Sequence, residues 1–274
     1  MTANFKEETI QLMGETSPYV FIPDEVIIKD ENTITTEIQN CDFQYENFTN
    51  LIKVLSSFGS LNISRIINNN TTEKNYFLGE KLRIRKLSEL EPKNILITCN
   101  SNVVPKRKAT SVLIVQDLNS KVNIYSFELD YYIITKKSFE YIYKEYLDET
   151  PVKLSVNTLP KSEINIIKNN EFSIIVSPFN KNQCTGHFDN YPIVPAVYIT
   201  NCILQQIFVF LENKTISTVD SLEMFLPAAM PIETIFNVSV VHQMFLKGLT
   251  HFKCEVKDNS SKTYGFYNIT IKQK

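Results

Sequence analysis

The sequence predicts an α+β protein made of two tandem copies of one unit, each a long helix cradled by an antiparallel sheet. Three observations carry this prediction. A turn of pattern D-x-x-S-K occurs twice, as "DLNSK" (Asp117 to Lys121) and "DNSSK" (Asp258 to Lys262), 141 residues apart. Both turns lie between segments that alternate apolar and polar residues, the period of a half-buried strand. Ahead of each meander sits a single segment of helical character.

In the first half, the strand "TITTEIQN" leads within a few residues to a helix over Tyr45 to Phe58. There Phe48, Leu51, Ile52, Leu55 and Phe58 follow i, i+3, i+4, i+7 spacing and make one apolar face. The segments "NILITC" from Asn94 and "KVNIYSFELDYYII" supply strands rich in β-branched and aromatic residues. The charged stretch "KEYLDETP" (Lys144 to Pro151) divides a first unit, 1–149, from a second, 150–274. In the second unit the helix "PAVYITNCILQQIFVFL" (Pro195 to Leu211) is apolar nearly all round, as a helix wrapped by a sheet must be. "IFNVSV" from Ile235 and "KTYGFYNITI" repeat the closing strands.

Composition narrows the function. With 43% hydrophobic and 21% charged residues the chain is an ordinary soluble globule, and no apolar run reaches the ~20 residues that span a bilayer, so no membrane partner is expected. A net charge of -2 provides no basic field for nucleic acid. The six glycines form neither GxGxxG nor GxxxxGK[ST], so a nucleotide cofactor is not expected. Five scattered cysteines without a CxxC pair point to reduced thiols and no metal site. The charged amino terminus lacks the apolar core of a secretory signal, so a cytoplasmic location is expected.

One stretch stands apart, "GHFDNYPIVPAVYITNCILQ": a histidine, two prolines three residues apart, then the apolar helix. It resembles the active-site segment of the β-hydroxyacyl-[acyl carrier protein] dehydratases of fatty-acid and polyketide synthesis, which are hotdog folds. Gly186, His187, Phe188, Pro192, Pro195 and Gln205 match the family pattern. Asn190 and Ala196 replace its two glycines, and Asn201 replaces its acidic residue. The resemblance implies a double hotdog in which each catalytic centre lies between two units. Laying the two helices together by their apolar faces, at an offset of 155, places Glu46 over Asn201 and Asn50 over Gln205. This predicts one working site, with His187 as base and Glu46 as acid, and one vacated site holding Asn201. Pro192 and Pro195 would stiffen the loop. Ala196 and Val197 would open the second helix and offer N–H groups to a substrate oxygen.

The function expected from this resemblance is dehydration of a β-hydroxyacyl thioester carried on the phosphopantetheine of an acyl carrier protein, with no cofactor of the enzyme's own. Lys81, Arg83 and Arg85, or Lys106, Arg107 and Lys108, would dock an acidic carrier. A hotdog isomerase, cyclase or thioesterase, or a non-catalytic acyl-binding scaffold, are the alternatives; for a thioesterase, Gln183 stands where an acid is usual. The fused pair predicts a monomer that is already a pseudo-dimer, or a dimer of such pairs.

Overall fold

The computed structural model describes residues 2–3, 10, 12–21, 23–43, 45–68, 73–104, 107–152, 158–188, 190–212, 217–246 and 248–273; of residues 2, 3, 45 and 46 it describes the backbone only. The first unit runs β1 (Thr2–Ala3), β2 (Val26–Ile28), β3 (Thr33–Ile38), α1 (Tyr45–Asn68), β4 (Asn75–Lys86), β5 (Ile95–Val104), β6 (Lys108–Asp117), β7 (Asn123–Thr135) and α2 (Lys136–Ile142). The second runs β8 (Ser162–Lys168), β9 (Glu171–Val176), α3 (Ala196–Phe210), β10 (Ser217–Phe225), β11 (Phe236–Leu246), β12 (Leu249–Asp258) and β13 (Thr263–Gln273).

All these strands join one antiparallel sheet in the order β1-β2-β3-β5-β6-β7-β4-β10-β13-β12-β11-β9-β8. Its centre is the β4–β10 pair, in register with Leu82 opposite Met224 and Arg83 opposite Glu223. Each half of the sheet curls around its own helix, and α1 and α3 pack against one another across the seam. This is the double hotdog expected. Alternation along the strands sets the inward face: Leu113, Val115 and Ala109 on β6, and Val238, Val240 and Phe236 on β11, are buried. In both repeated turns the aspartate carboxylate accepts from the backbone N–H and the hydroxyl of one serine, Ser120 at 2.7 and 2.6 Å and Ser260 at 2.8 and 2.6 Å.

Two features differ from expectation. First, α1 does not stop at Phe58 but runs to Asn68. Leu61 and Ile63 stay buried, and the polar residues that hide the apolar pattern are satisfied internally: Asn62 donates to the Asn32 carbonyl at 2.6 Å and to Ser101 Oγ at 3.0 Å. Second, the register between the helices is not 155. Both end seven residues before their next strand, Asn68 before Asn75 and Phe210 before Ser217, an offset of 142 that agrees with the strands. Asn201 then falls over Gly59 rather than Glu46. The near all-round apolarity of α3 explains the mismatch, because a helix with so narrow a polar side fixes its register weakly when faces are matched.

Candidate active site

His187 sits on a short loop whose shape is set residue by residue. A 3-10 turn, Lys181–Cys184, is capped reciprocally by Asn180 and Gln183, so Gln183 serves as a cap here. Gly186 follows with φ +86° and Phe188 with φ +62°. Val194 N–H donates to the Met230 carbonyl at 2.8 Å, and Pro195, buried, is the N-cap of α3. Pro192 is buried as well.

Phe188 enters an aromatic cluster with Tyr76 of β4, Phe139 of α2 and Tyr191; Phe139 stacks on Tyr76 at 3.8 Å and lies 5.2 Å from Phe188. The first unit thereby grips the second unit's loop. Phe139→Ala is expected to cost about 3–5 kcal/mol, read as a lowered urea midpoint, because Phe139 is fully buried.

The His187 ring is 8% exposed. Its Nδ1 lies 2.9 Å from the Ile193 carbonyl, which fixes Nδ1 as the protonated nitrogen and leaves the Nε2 lone pair open. Facing Nε2 at 3.9 Å is a carboxyl oxygen of Glu15, 12% exposed. Burial pushes Glu15 up to about 8, with the Lys53 ammonium opposing, and burial pushes His187 down to about 4, with the Ile193 hydrogen bond opposing. Both shifts favour the uncharged forms near neutral pH, one with a proton to give and one with a lone pair to receive it. At 3.9 Å the two are too far apart for a direct hydrogen bond and close enough to reach one ligand from the same wall.

Glu15 is carried by an irregular strap, residues 12–21, that bridges the two units. Thr16 N–H donates to the Gly186 carbonyl at 2.7 Å, Asn75 N–H to the Leu12 carbonyl at 2.9 Å, and Phe21 N–H to Ser57 Oγ at 3.2 Å. Tyr19 of the strap packs edge-on against the imidazole at 4.7 Å. No periodic pattern in the sequence marks this carboxyl, because the strap is irregular. Its signal was local: Gly14, one of only six glycines, beside a Ser-Pro pair.

The pair opens into a cavity of about 280 Å3 along the seam. Ile52, Ser56 and Ser60 of α1 line it at spacing four, facing Ala196, Val197, Ile199 and Thr200 of α3. Phe77, Leu82, Leu129, Met224 and Met230 make much of the wall apolar. Ala196 and Val197 thus stand at the cavity as expected, and as the first turn of α3 their N–H groups have no intrahelical acceptor. Cys184, beside the loop, is pushed up to about 12 by burial and is no nucleophile at neutral pH.

The other expected residues fall as follows. Glu46 is in the first turn of α1, and its side chain lies outside the described residues. Asn50 and Gln205 are exposed, Asn201 is half-buried, and none of the three lines the cavity. Lys81 lines it beside Glu80 and Tyr132. Arg83 pairs with Glu128 at 2.5 Å and Glu223 at 3.5 Å, and Lys108 with Glu80 at 3.2 Å, so these cations are locally compensated. Arg85 is exposed, Arg107 donates to Ser138 Oγ at 3.4 Å, and Lys106 lies outside the described residues.

No protein-family model matches the sequence, and no curated protein matches it. Solved structures do. The 12:0-ACP thioesterase from Umbellularia californica aligns with TM-score 0.59 at 8% identity, over 90% of this chain and 99% of its own. An acyl-ACP thioesterase from Bacteroides thetaiotaomicron aligns with TM-score 0.53 at 14% identity, over 88% and 98%. A protein with hot dog fold from Alicyclobacillus acidocaldarius aligns with TM-score 0.50 at 7% identity, over 100% and 99%. At these identities the likeness is one of fold, and it extends along the whole double hotdog.

Proposed function

We propose that the protein is a dehydratase of β-hydroxyacyl thioesters, with His187 as base and Glu15 as acid. The observation that carries this reading is the juxtaposition itself: an imidazole and a buried carboxyl 3.9 Å apart at one wall of an apolar cavity, in surroundings that favour their uncharged forms. His187 Nε2 takes the proton from Cα. The Cα–H electron pair becomes the new Cα=Cβ bond, the Cβ–O bond breaks, and the departing oxygen takes the Glu15 proton to leave as water. Negative charge that gathers on the thioester oxygen during proton removal is met by the free N–H groups of Ala196 and Val197. The resulting imidazolium and carboxylate are neighbours, and proton return across the gap resets them. The resemblance of the loop to dehydratases supports the same chemistry, as it supports a substrate delivered on the phosphopantetheine of an acyl carrier protein.

Hydrolysis is the second reading, favoured by the names of the aligned structures, which include two acyl-ACP thioesterases. His187 Nε2 would then activate a water. Against it stands the burial of Glu15, which raises its pKa and disfavours a carboxylate base or nucleophile at neutral pH.

One experiment separates them. The protein is incubated with a β-hydroxyacyl and with a saturated acyl thioester, and products are weighed while free thiol is titrated. Dehydration gives loss of one water from the first substrate and no thiol from either. Thiol released from both substrates with no enoyl product would replace dehydration by hydrolysis, and a product of unchanged mass would point to isomerisation.

A further inference from the structure

We infer that Lys53 is a positioning residue for the Glu15 acid: it clamps the strap that carries Glu15 and holds a cation beside the carboxylate that forms when the acid gives up its proton. This rests on the dehydration reading and deepens it.

Lys53 projects from α1, in the first unit. Its Nζ donates to the Pro18 carbonyl of the strap at 3.1 Å and lies 5.3 Å from the centre of the Tyr19 ring. Tyr19 in turn abuts the His187 imidazole. The strap is thus held on the side facing α1 by the ammonium, and on the side facing the catalytic loop by the Thr16 to Gly186 hydrogen bond. Among the described residues, His187 faces Glu15 from the loop before α3, and Tyr19 of the strap, Tyr131 of β7 and Lys53 of α1 interact with it electrostatically. The first three favour their neutral forms at pH 7, so among the described residues Lys53 supplies the cation.

A dehydration acid must become an anion at the moment water leaves, and Glu15 must do so in surroundings whose burial resists the charge. An ammonium anchored on the same strap, its field reaching the carboxyl, favours the anion without itself donating a proton. The same lysine therefore sets where the acid stands and how readily it lets its proton go, while touching neither Cα nor Cβ of the substrate.

The test follows the Glu15 carboxyl directly. With 13C-carboxyl-labelled glutamate, its resonance is assigned by its loss in Glu15→Gln and titrated in the wild type, Lys53→Met and Lys53→Arg. We expect the midpoint to rise by about one unit or more in Lys53→Met and to return toward the wild-type value in Lys53→Arg. Turnover should fall about tenfold or more in Lys53→Met with KM little changed, and recover in Lys53→Arg. Lys53→Gln serves if Lys53→Met does not fold. A midpoint that stays put or moves down in the folded variant overturns the inference. If the midpoint rises but the wild type releases water from no β-hydroxyacyl thioester, the dehydration reading fails while the coupling of Lys53 to Glu15 stands.

Discussion

Glu15→Gln is expected to lower dehydration by about 10²–10⁴ while making the protein more stable at alkaline pH. Glutamine keeps the size of the acid but has no proton of suitable acidity, so turnover is lost without a cavity. His187→Ala should lose as much, by removing the base. In the wild type, activity should fall on the acid side as His187 is protonated near 4, and on the alkaline side as Glu15 ionises near 8. The alkaline limb belongs to Glu15, so any residual activity of Glu15→Gln should not show it. A pH series of kcat on the three proteins checks this.

The stability effect follows from the same burial. In the unfolded chain Glu15 ionises near its ordinary value of 4.5, in the folded one near 8. Between these values folding takes up a proton, so this group's contribution is intact below 4.5 and is lost as the pH rises through 8. His187 acts in the opposite direction: its folded value is depressed from 6.5 to about 4, so its contribution is present above 6.5 and is lost as the pH falls through 4. Glu15→Gln should therefore melt higher than the wild type at pH 8 and about equally at pH 4.5. Equal melting temperatures at both would mean that Glu15 is not buried as described.

The second large effect is expected at Gly186. With φ +86° this residue lies where a side chain costs about 1–2 kcal/mol, and an added Cβ would stand 2.5 Å from the Thr16 carbonyl oxygen and 2.8 Å from the Tyr19 nitrogen. Both are backbone atoms of the strap and cannot swing aside as a side-chain tip can. Gly186→Ala should push the strap off the loop, carry Glu15 away from His187, and cut turnover on the order of a hundredfold, since a displacement of about 1 Å is enough. Most of the sheet and both long helices are untouched, so the melting temperature should fall by only a few degrees. Gly79→Ala is the contrast. It also lines the cavity, but the new methyl meets nothing within 4 Å, and activity should persist.

The sheet was legible because strands with one buried face write that face into the sequence at every second residue, and Asp117 and Asp258 marked the repeat. His187 was legible because glycine and proline around it constrain a loop in a recognisable pattern. The acid was not. Helix matching pointed to Glu46, but α3 is apolar nearly all round and fixes its register weakly, and α1 extends past Phe58 under polar residues that are paired inside the protein. Glu15 lies in a segment without regular structure, 172 positions before His187, so no local pattern links the two. The link is tertiary: a backbone hydrogen bond from Thr16 to Gly186, and a glycine where nothing larger fits.

The antiparallel β4–β10 pair joins the two units inside a single chain. Two such units on separate chains would have to find one another, and a site between them would come apart on dilution. Here the halves are tethered, so the encounter is intramolecular and the local concentration of one half around the other is set by the linker rather than by expression level. Specific activity should accordingly be independent of protein concentration down to the nanomolar range, and a lesion in one half cannot be rescued by exchange with an intact copy.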